Sequence, residues 1–242
     1  MEKEIETLQR WVLDSRRSVA FTGAGCSTES KIPDFRSVDG LYNQSYAYPP
    51  ETIISHSFFE AKPEEFYRFY KEKMLWLDAQ PNAAHKKFAE MEAAGRLTAV
   101  VTQNIDGLHQ AAGSKTVWEL HGSIHRNYCM KCHKFFGADY VKKAEGVPRC
   151  DACGGMVKPD VVLYEESLDG ETLERAVEAI AQADLLIVGG TSLAVYPAAG
   201  LIHYYRGNRL VLINKTPTPY DSRADLILSG KIGEVLEKIH VS

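Results

Sequence analysis

Six short apolar runs, each closed by a polar or glycine-rich turn, constrain the fold of this 242-residue chain more than any other feature. They span residues 19–22, 99–102, 117–120, 185–188, 210–213 and 226–228. Their near-continuous aliphatic content predicts strands buried on both faces. Between them lie stretches of helical spacing: Ile5, Leu8 and Val12; Ala84, Phe88 and Met91; Leu173, Val177 and Ile180; and Ile232, Val235, Leu236 and Ile239. Such alternation predicts an α/β fold, a parallel sheet with helices on both faces and a ligand crevice at the carboxyl ends of the strands. With 45% hydrophobic and 25% charged residues, the chain can bury a sizeable core.

Two segments break the alternation. Residues 36–80 lack a buried strand but are rich in aromatics, and Pro63 opens a helical stretch; they read as a loop followed by a helical insert. Residues 126–157 hold four of the five cysteines with little apolar content and read as a second, smaller module. The plan is therefore a large lobe of residues 1–35, 81–125 and 158–242, carrying both inserts within one catalytic domain. The amino-terminal segment MEKEIETLQRW lacks the apolar stretch of a signal peptide, and no run suggests a membrane span. The expectation is a cytoplasmic protein with reduced thiols and no membrane partner. A net charge of −4, from 28 basic and 32 acidic residues, argues against nucleic acid.

Cysteine spacing gives the sharpest chemical signal. Cys129-x2-Cys132 and, 17 residues on, Cys150-x2-Cys153 have the paired spacing that closes four thiolates around zinc. A closed sulfur shell leaves no position for water, so the metal is expected to be structural, one per chain. A zinc ribbon gripping nucleic acid is the competing reading. Six bases against three acids over 126–157, less the negative charge of a tetrathiolate centre, leave too little positive charge for it.

Three predicted strand ends deliver polar groups toward one place. The first runs into Gly23-Ala24-Gly25-Cys26-Ser27-Thr28, whose small residues would let backbone amides approach a phosphate at a helix start. Ile32-Pro33-Asp34-Phe35-Arg36 follows. The second strand ends in Thr102-Gln103-Asn104-Ile105-Asp106-Gly107-Leu108-His109, and the third in His121-Gly122. The turn lacks the third glycine of the dehydrogenase fingerprint, and Asp39 is no strand-end acid, so an ordinary dehydrogenase is disfavoured. Cys26 reads as a packed small residue rather than a nucleophile.

Together with Lys158-Pro159-Asp160-Val161-Val162, Gly190-Thr191-Ser192 and Asn214, these motifs make the chain resemble the sirtuins, NAD-dependent protein lysine deacylases, over essentially its whole length. The resemblance is to short prokaryotic members. It implies a Rossmann-like parallel sheet bearing the zinc module and the helical insert. It also implies a reaction in which the acyl-lysine oxygen opens the nicotinamide–ribose bond of NAD, forming an alkylimidate that water resolves to lysine, nicotinamide and O-acyl-ADP-ribose. By that match His121 is the general base, with Asn104 and Asp106 also catalytic. Gln103, Asn104 and Asp106 hold the nicotinamide ribose and carboxamide, and Ile105 lies beside the ring. Phe35 shields the reacting face, and Arg36 orders the cofactor loop with Asp34. Ala24, Thr28, Thr191 and Ser192 line the phosphates, Asn214 the adenine ribose, and Lys231 and Ile232 the adenine. Val161, Val162 and Tyr164 pair with an acetylated-lysine peptide bound as an extended strand, with Leu163 in the same segment.

Members that remove acidic acyl groups carry a tyrosine followed three positions on by arginine. Tyr67 is followed here by Tyr70, which favours a neutral acyl group such as acetyl. Two positions depart from the family pattern. Lys31 stands where glycine usually precedes Ile-Pro-Asp-Phe-Arg, and Tyr164-Glu165-Glu166 replaces the usual Phe-Gly-Glu. The alternatives are a protein mono-ADP-ribosyltransferase using the same cofactor residues, and a non-enzymatic zinc-bearing NAD sensor.

Overall fold

The structure, a computed structural model, describes residues 2–35, 40–41 and 46–241. Its strands in chain order are β1 (Ser18–Thr22), β2 (Leu97–Thr102), β3 (Val117–Glu119), β4 (Gly122–Cys129), β5 (Phe135–Phe136), β6 (Val157–Val161), β7 (Leu185–Gly189), β8 (Leu210–Asn214) and β9 (Leu226–Ser229). The α-helices are α1 (Glu2–Asp14), α2 (Pro50–Ile53), α3 (His56–Ala61), α4 (Pro63–Lys73), α5 (Ala83–Ala93), α6 (Leu108–Ala111), α7 (Ala138–Lys143), α8 (Gly170–Gln182) and α9 (Ile232–Leu236).

All six runs read from the sequence are strands of one parallel sheet, ordered β3-β2-β1-β7-β8-β9. β1 and β7 are buried along their whole length, as runs apolar on both faces require. Alternate residues serve opposite cores. Ala20, Val100, Ile187 and Val211 face the core that includes Leu8, Phe88 and Leu236. Val19, Val101, Leu186 and Leu212 face the core that includes Ile180 and Ile202. Strand order reverses between β1 and β7, so the helices that follow them leave on opposite sides and open a crevice there.

The register sets what stands at that crevice. Thr22 is level with Thr102 on one side and Gly189 on the other, and Gly189 with Ile213. The residues just beyond these positions therefore share one edge. Gly23 donates its amide to Gly189 O (3.3 Å), and Gln103 donates to Thr22 O (2.9 Å).

A second, antiparallel sheet, β5-β4-β6, brackets the cysteine segment from Gly122 to Val161. Sequence patterning did not reveal it. β6 reads Val-Lys-Pro-Asp-Val, with Pro159 and two charges, and only its alternating burial marks it as a strand. α2, α3 and α4 form the insert, whose aromatics Phe59, Phe66, Tyr67 and Tyr70 share a third core with Ile124, Val157 and Leu163.

At the switch point Gly25 donates its amide to Gly190 O at 2.8 Å, so two turns meet backbone to backbone. A Cβ on Gly190, at φ +62°, would lie 2.2 Å from Cys26 N. Crowding of about 1–3 kcal/mol and left-handed strain of about 1–2 kcal/mol then add. Gly190→Ala is expected to lower unfolding stability in urea by roughly 2–5 kcal/mol, and an unchanged midpoint would refute the seam.

Candidate active site

A cleft of about 1000 Å³ runs along the carboxyl edge of the large sheet and against the small sheet. Of the positions singled out in the sequence, Ala24, Thr28, Phe35, Gln103, Asn104, Ile105, Asp106, His121, Val161, Val162, Tyr164, Thr191, Ser192, Asn214, Lys231 and Ile232 all line it. Arg36 lies outside the described residues.

The polar groups form one connected arrangement. Ser27 Oγ donates to Asp106 Oδ2 (2.6 Å) and accepts from Asn104 Nδ2 (3.1 Å). Asp106 Oδ1 accepts the Leu108 amide at 2.9 Å, so both carboxylate oxygens are fixed. Gln103 Nε2 donates to Thr191 Oγ1 (3.0 Å), and the Thr191 amide donates to Asn214 Oδ1 (3.0 Å). The edges of β2, β7 and β8 are thereby tied together through side chains. Beneath them Thr22 Oγ1 bonds Thr102 Oγ1 (2.9 Å) and His109 Nε2 (3.0 Å), and Thr102 Oγ1 accepts the Asn104 amide (3.1 Å). The sequence reading placed His109 at the end of the second strand-end motif and Thr22 at the end of the first strand, but assigned neither a role of its own.

His121 follows β3, and its Nδ1 lies 2.9 Å from the carbonyl of Gln103. A carbonyl only accepts, so Nδ1 carries the proton of the neutral ring and Nε2 keeps its lone pair. Burial holds the imidazole below its ordinary pKa, only partly opposed by the Gln103 carbonyl. The carbonyl of His121 in turn accepts the Val162 amide at 3.0 Å. His121 and the 161–164 segment are therefore backbone neighbours.

The phosphate turn differs from the amide cradle read from the sequence. The amides of Gly23, Gly25, Cys26 and Ser27 all donate within the protein. The turn continues as two single 3-10 turns, Ala24–Cys26 and Thr28–Ser30, rather than a long helix. The glycines serve close approach instead, since a Cβ on Gly23 would sit 2.7 Å from Thr191 Cβ. A dinucleotide nonetheless fits the residues present. Asn214 Nδ2 is buried with no partner among the described residues, a donor left over for a ribose hydroxyl. Cys26 is fully buried and its thiol pKa is pushed well up by that burial, so it is inert. Lys231 lines the cleft and pairs with Glu234 at 2.6 Å.

The four module cysteines come together, with every sulfur within 4.8 Å of the others. Cys129 and Cys153 Sγ are 3.4 Å apart and Cys132 and Cys150 Sγ 3.6 Å. These separations exclude disulfides near 2.05 Å. They suit a tetrahedral ion, whose bonds of about 2.3 Å place sulfurs roughly 3.8 Å apart. Amides of Lys131 and Ala152 donate to Cys129 and Cys150 Sγ at 3.4 Å each, offsetting thiolate charge. A Cβ on Gly155 would lie 2.8 Å from Cys129 Sγ, so the second turn needs glycine. The donor set fits Zn²⁺, and His133 stands outside it.

Both departures from the family pattern occupy left-handed backbone, Lys31 at φ +65° and Glu165 at φ +75°. Glycine takes that conformation freely and other residues at a cost of roughly 1–2 kcal/mol. Tyr67 and Tyr70 are fully buried in the insert, where Tyr67 Oη donates to the carbonyl of Val157. No helix among the described residues is long and apolar enough to cross a membrane.

A family model described as the Sir2 family matches residues 23–197. An NAD-dependent protein deacetylase of Clostridium acetobutylicum is 59% identical over 239 residues, covering 98% of each chain. A protein of the same description from Clostridium perfringens is 55% identical over 242 residues, covering 99% of each. Among solved structures, a Sir2 with p53 peptide and NAD+ superimposes with a TM-score of 0.86 at 41% identity, covering 97% of this chain and 96% of the other. Another Sir2 enzyme gives 0.89 at 43% identity, covering 98% and 96%. The chain belongs to the Sir2 family.

Replacing Cys129 by serine is expected to cost the bound zinc, read by elemental analysis, and to lower Tm by more than about 5 °C, roughly 2 kcal/mol for a chain this size. A variant that melts like the parent would show the metal to be dispensable for the fold.

Proposed function

We propose that this chain is an NAD-dependent protein-lysine deacetylase, consuming NAD and releasing nicotinamide, O-acetyl-ADP-ribose and the deacetylated lysine. The observation that carries this reading is His121, a neutral imidazole with Nδ1 tied to Gln103 and Nε2 left basic, where the cleft meets the 161–164 segment. NAD, when bound, supplies an electrophilic ribose carbon with nicotinamide as its leaving group. Gln103, Asn104 and Asp106 orient that ribose and the carboxamide, and Ile105 and Phe35 cover the reacting face from water. Nε2 of His121 accepts the proton of a hydroxyl brought against it, a transfer worth about 10²–10⁴ in rate. Ala24, Thr28, Thr191 and Ser192 meet the phosphates, Asn214 the adenine ribose, and Lys231 and Ile232 the adenine; Arg36 completes the cofactor loop.

The substrate peptide adds as an extended strand beside Val161, Val162 and Tyr164, where backbone pairing tolerates many sequences. Tyr70, uncharged and buried, takes the sequence position at which members that remove acidic acyl groups carry arginine, which supports acetyl or another neutral group. Cys129, Cys132, Cys150 and Cys153 hold a structural zinc that takes no part in the chemistry. Four thiols committed to a metal suit a reducing compartment, the cytoplasm.

Incubation with an acetyl-lysine peptide and NAD tests the reading. Nicotinamide and O-acetyl-ADP-ribose in equal amounts support it. Label transferred from NAD to protein would instead make the chain an ADP-ribosyltransferase, and binding without turnover a sensor. His121→Ala is expected to cut kcat at least about 100-fold while retaining zinc; a variant of full rate would remove His121 from the mechanism.

The base must be unprotonated, and burial lowers its pKa. The acidic limb of kcat/KM is therefore expected to fall below the ordinary histidine value of about 6.5. A limb well above that value would contradict the buried-base assignment.

A further inference from the structure

Charged side chains of both signs line the cleft: Lys31, Lys215 and Lys231 beside the phosphate turn and β8, Asp34, Lys73 and Asp106 elsewhere, and Glu165 and Glu166 at the end of the 161–164 segment. The two glutamates differ in their surroundings. Glu166 is neutralised, with Oε1 2.8 Å from His56 Nδ1 and 3.2 Å from Lys158 Nζ, while its Oε2 accepts the Leu163 amide. Glu165 makes no ion pair among the described residues. Its carboxylate accepts from the amide of Ser57 (2.9 Å) and from Ser57 Oγ (3.0 Å), both neutral.

The backbone of Glu165 is also strained, at φ +75°. A strained non-glycine residue persists where surrounding contacts over-determine it, and such positions concentrate at functional sites. The over-determination is visible here. The adjoining Tyr164 pairs with the insert through His56 N to Tyr164 O and Tyr164 N to Ile54 O, each 3.0 Å. The two Ser57 bonds then hold the carboxylate against the start of α3. The result is a negative charge with neutral hydrogen-bond partners, held in place on the wall where the peptide strand adds. The wall that follows β7 offers Ser192, Val195 and Tyr196, none of them charged.

We propose that Glu165 is a specificity-determining residue whose carboxylate selects peptides carrying a lysine or arginine close in sequence to the acyl-lysine. This rests on the deacetylase reading of the same cleft. An exposed carboxylate and a cation at the rim of a groove interact weakly, so the preference is expected to be about two- to fivefold at low salt. It should shrink as added salt shortens the screening length.

The test uses the zinc-loaded full chain and three acetyl-lysine peptides with neutral, arginine or glutamate neighbours. The parent should show the higher kcat/KM on the arginine peptide, and Glu165→Gln, which keeps an oxygen for Ser57, should bring the arginine-to-glutamate ratio close to one. The same ratio is read as affinity by fluorescence anisotropy of labelled peptides. Failure to turn over even the neutral peptide defeats the deacetylase reading, while the affinity ratio still decides the role of Glu165. A parent without charge preference, or a Glu165→Gln variant that keeps it at low salt, overturns the proposal.

Discussion

The contact on which the site depends is the 2.8 Å hydrogen bond from Gly25 N to Gly190 O, where the turn after β1 meets the turn after β7. Glycine stands on both sides of it, and a side chain on either would displace backbone rather than a flexible tip. The contact joins the two halves of the sheet where their helices diverge, and the level register of β2, β1, β7 and β8 does the rest. Gln103 reaches Thr191, Thr191 reaches Asn214, and each side chain is held by the next strand's edge. A site assembled in this way needs no long loop to bring its groups together.

Burying these groups costs about 1–3 kcal/mol for each one left unpaired, so the polar network is itself a constraint on the fold. The chain His109, Thr22, Thr102, Asn104, Ser27, Asp106 satisfies nearly all of it internally. The exceptions are informative. His109 Nδ1 faces the buried Cys26 and His85, a packed cluster in which burial holds both imidazoles below their ordinary pKa and therefore neutral. Asn214 lines the cleft, and its buried, unpaired Nδ2 is capacity for a ligand.

The large sheet was legible because burial on both faces leaves an unbroken aliphatic signature, and β1 and β7 carry it undiluted. The small sheet was not. β6 alternates over only five residues around a proline, and β4 carries an irregular register between Ser123 and Asn127, so neither shows the aliphatic run that marks the large sheet. The phosphate turn was found, but its physics was misread. Small residues there permit contact between turns, and the amides assigned to phosphate are mostly spent within the protein. Lys31 and Glu165 could be recognised as departures from a pattern, yet only backbone angles reveal that both sit where glycine is conformationally favoured.

The cysteine cluster and His121 stand at the two ends of one strand pair. β4 begins at Gly122, beside His121 and opposite Val161, and ends at Cys129, opposite Val157. β6 spans the interval from Val157, opposite Cys129, to Val161, opposite Gly122, in four steps, on the order of 13 Å at about 3.3 Å per residue, and β4 covers it with an irregular register. The metal site lies outside the lining of the cleft. Its influence is mechanical. It fixes the far end of β4 and β6, so the near end keeps the Val162 amide on the carbonyl of His121. A four-sulfur shell with no exchangeable position suits that task, since its value lies in not moving.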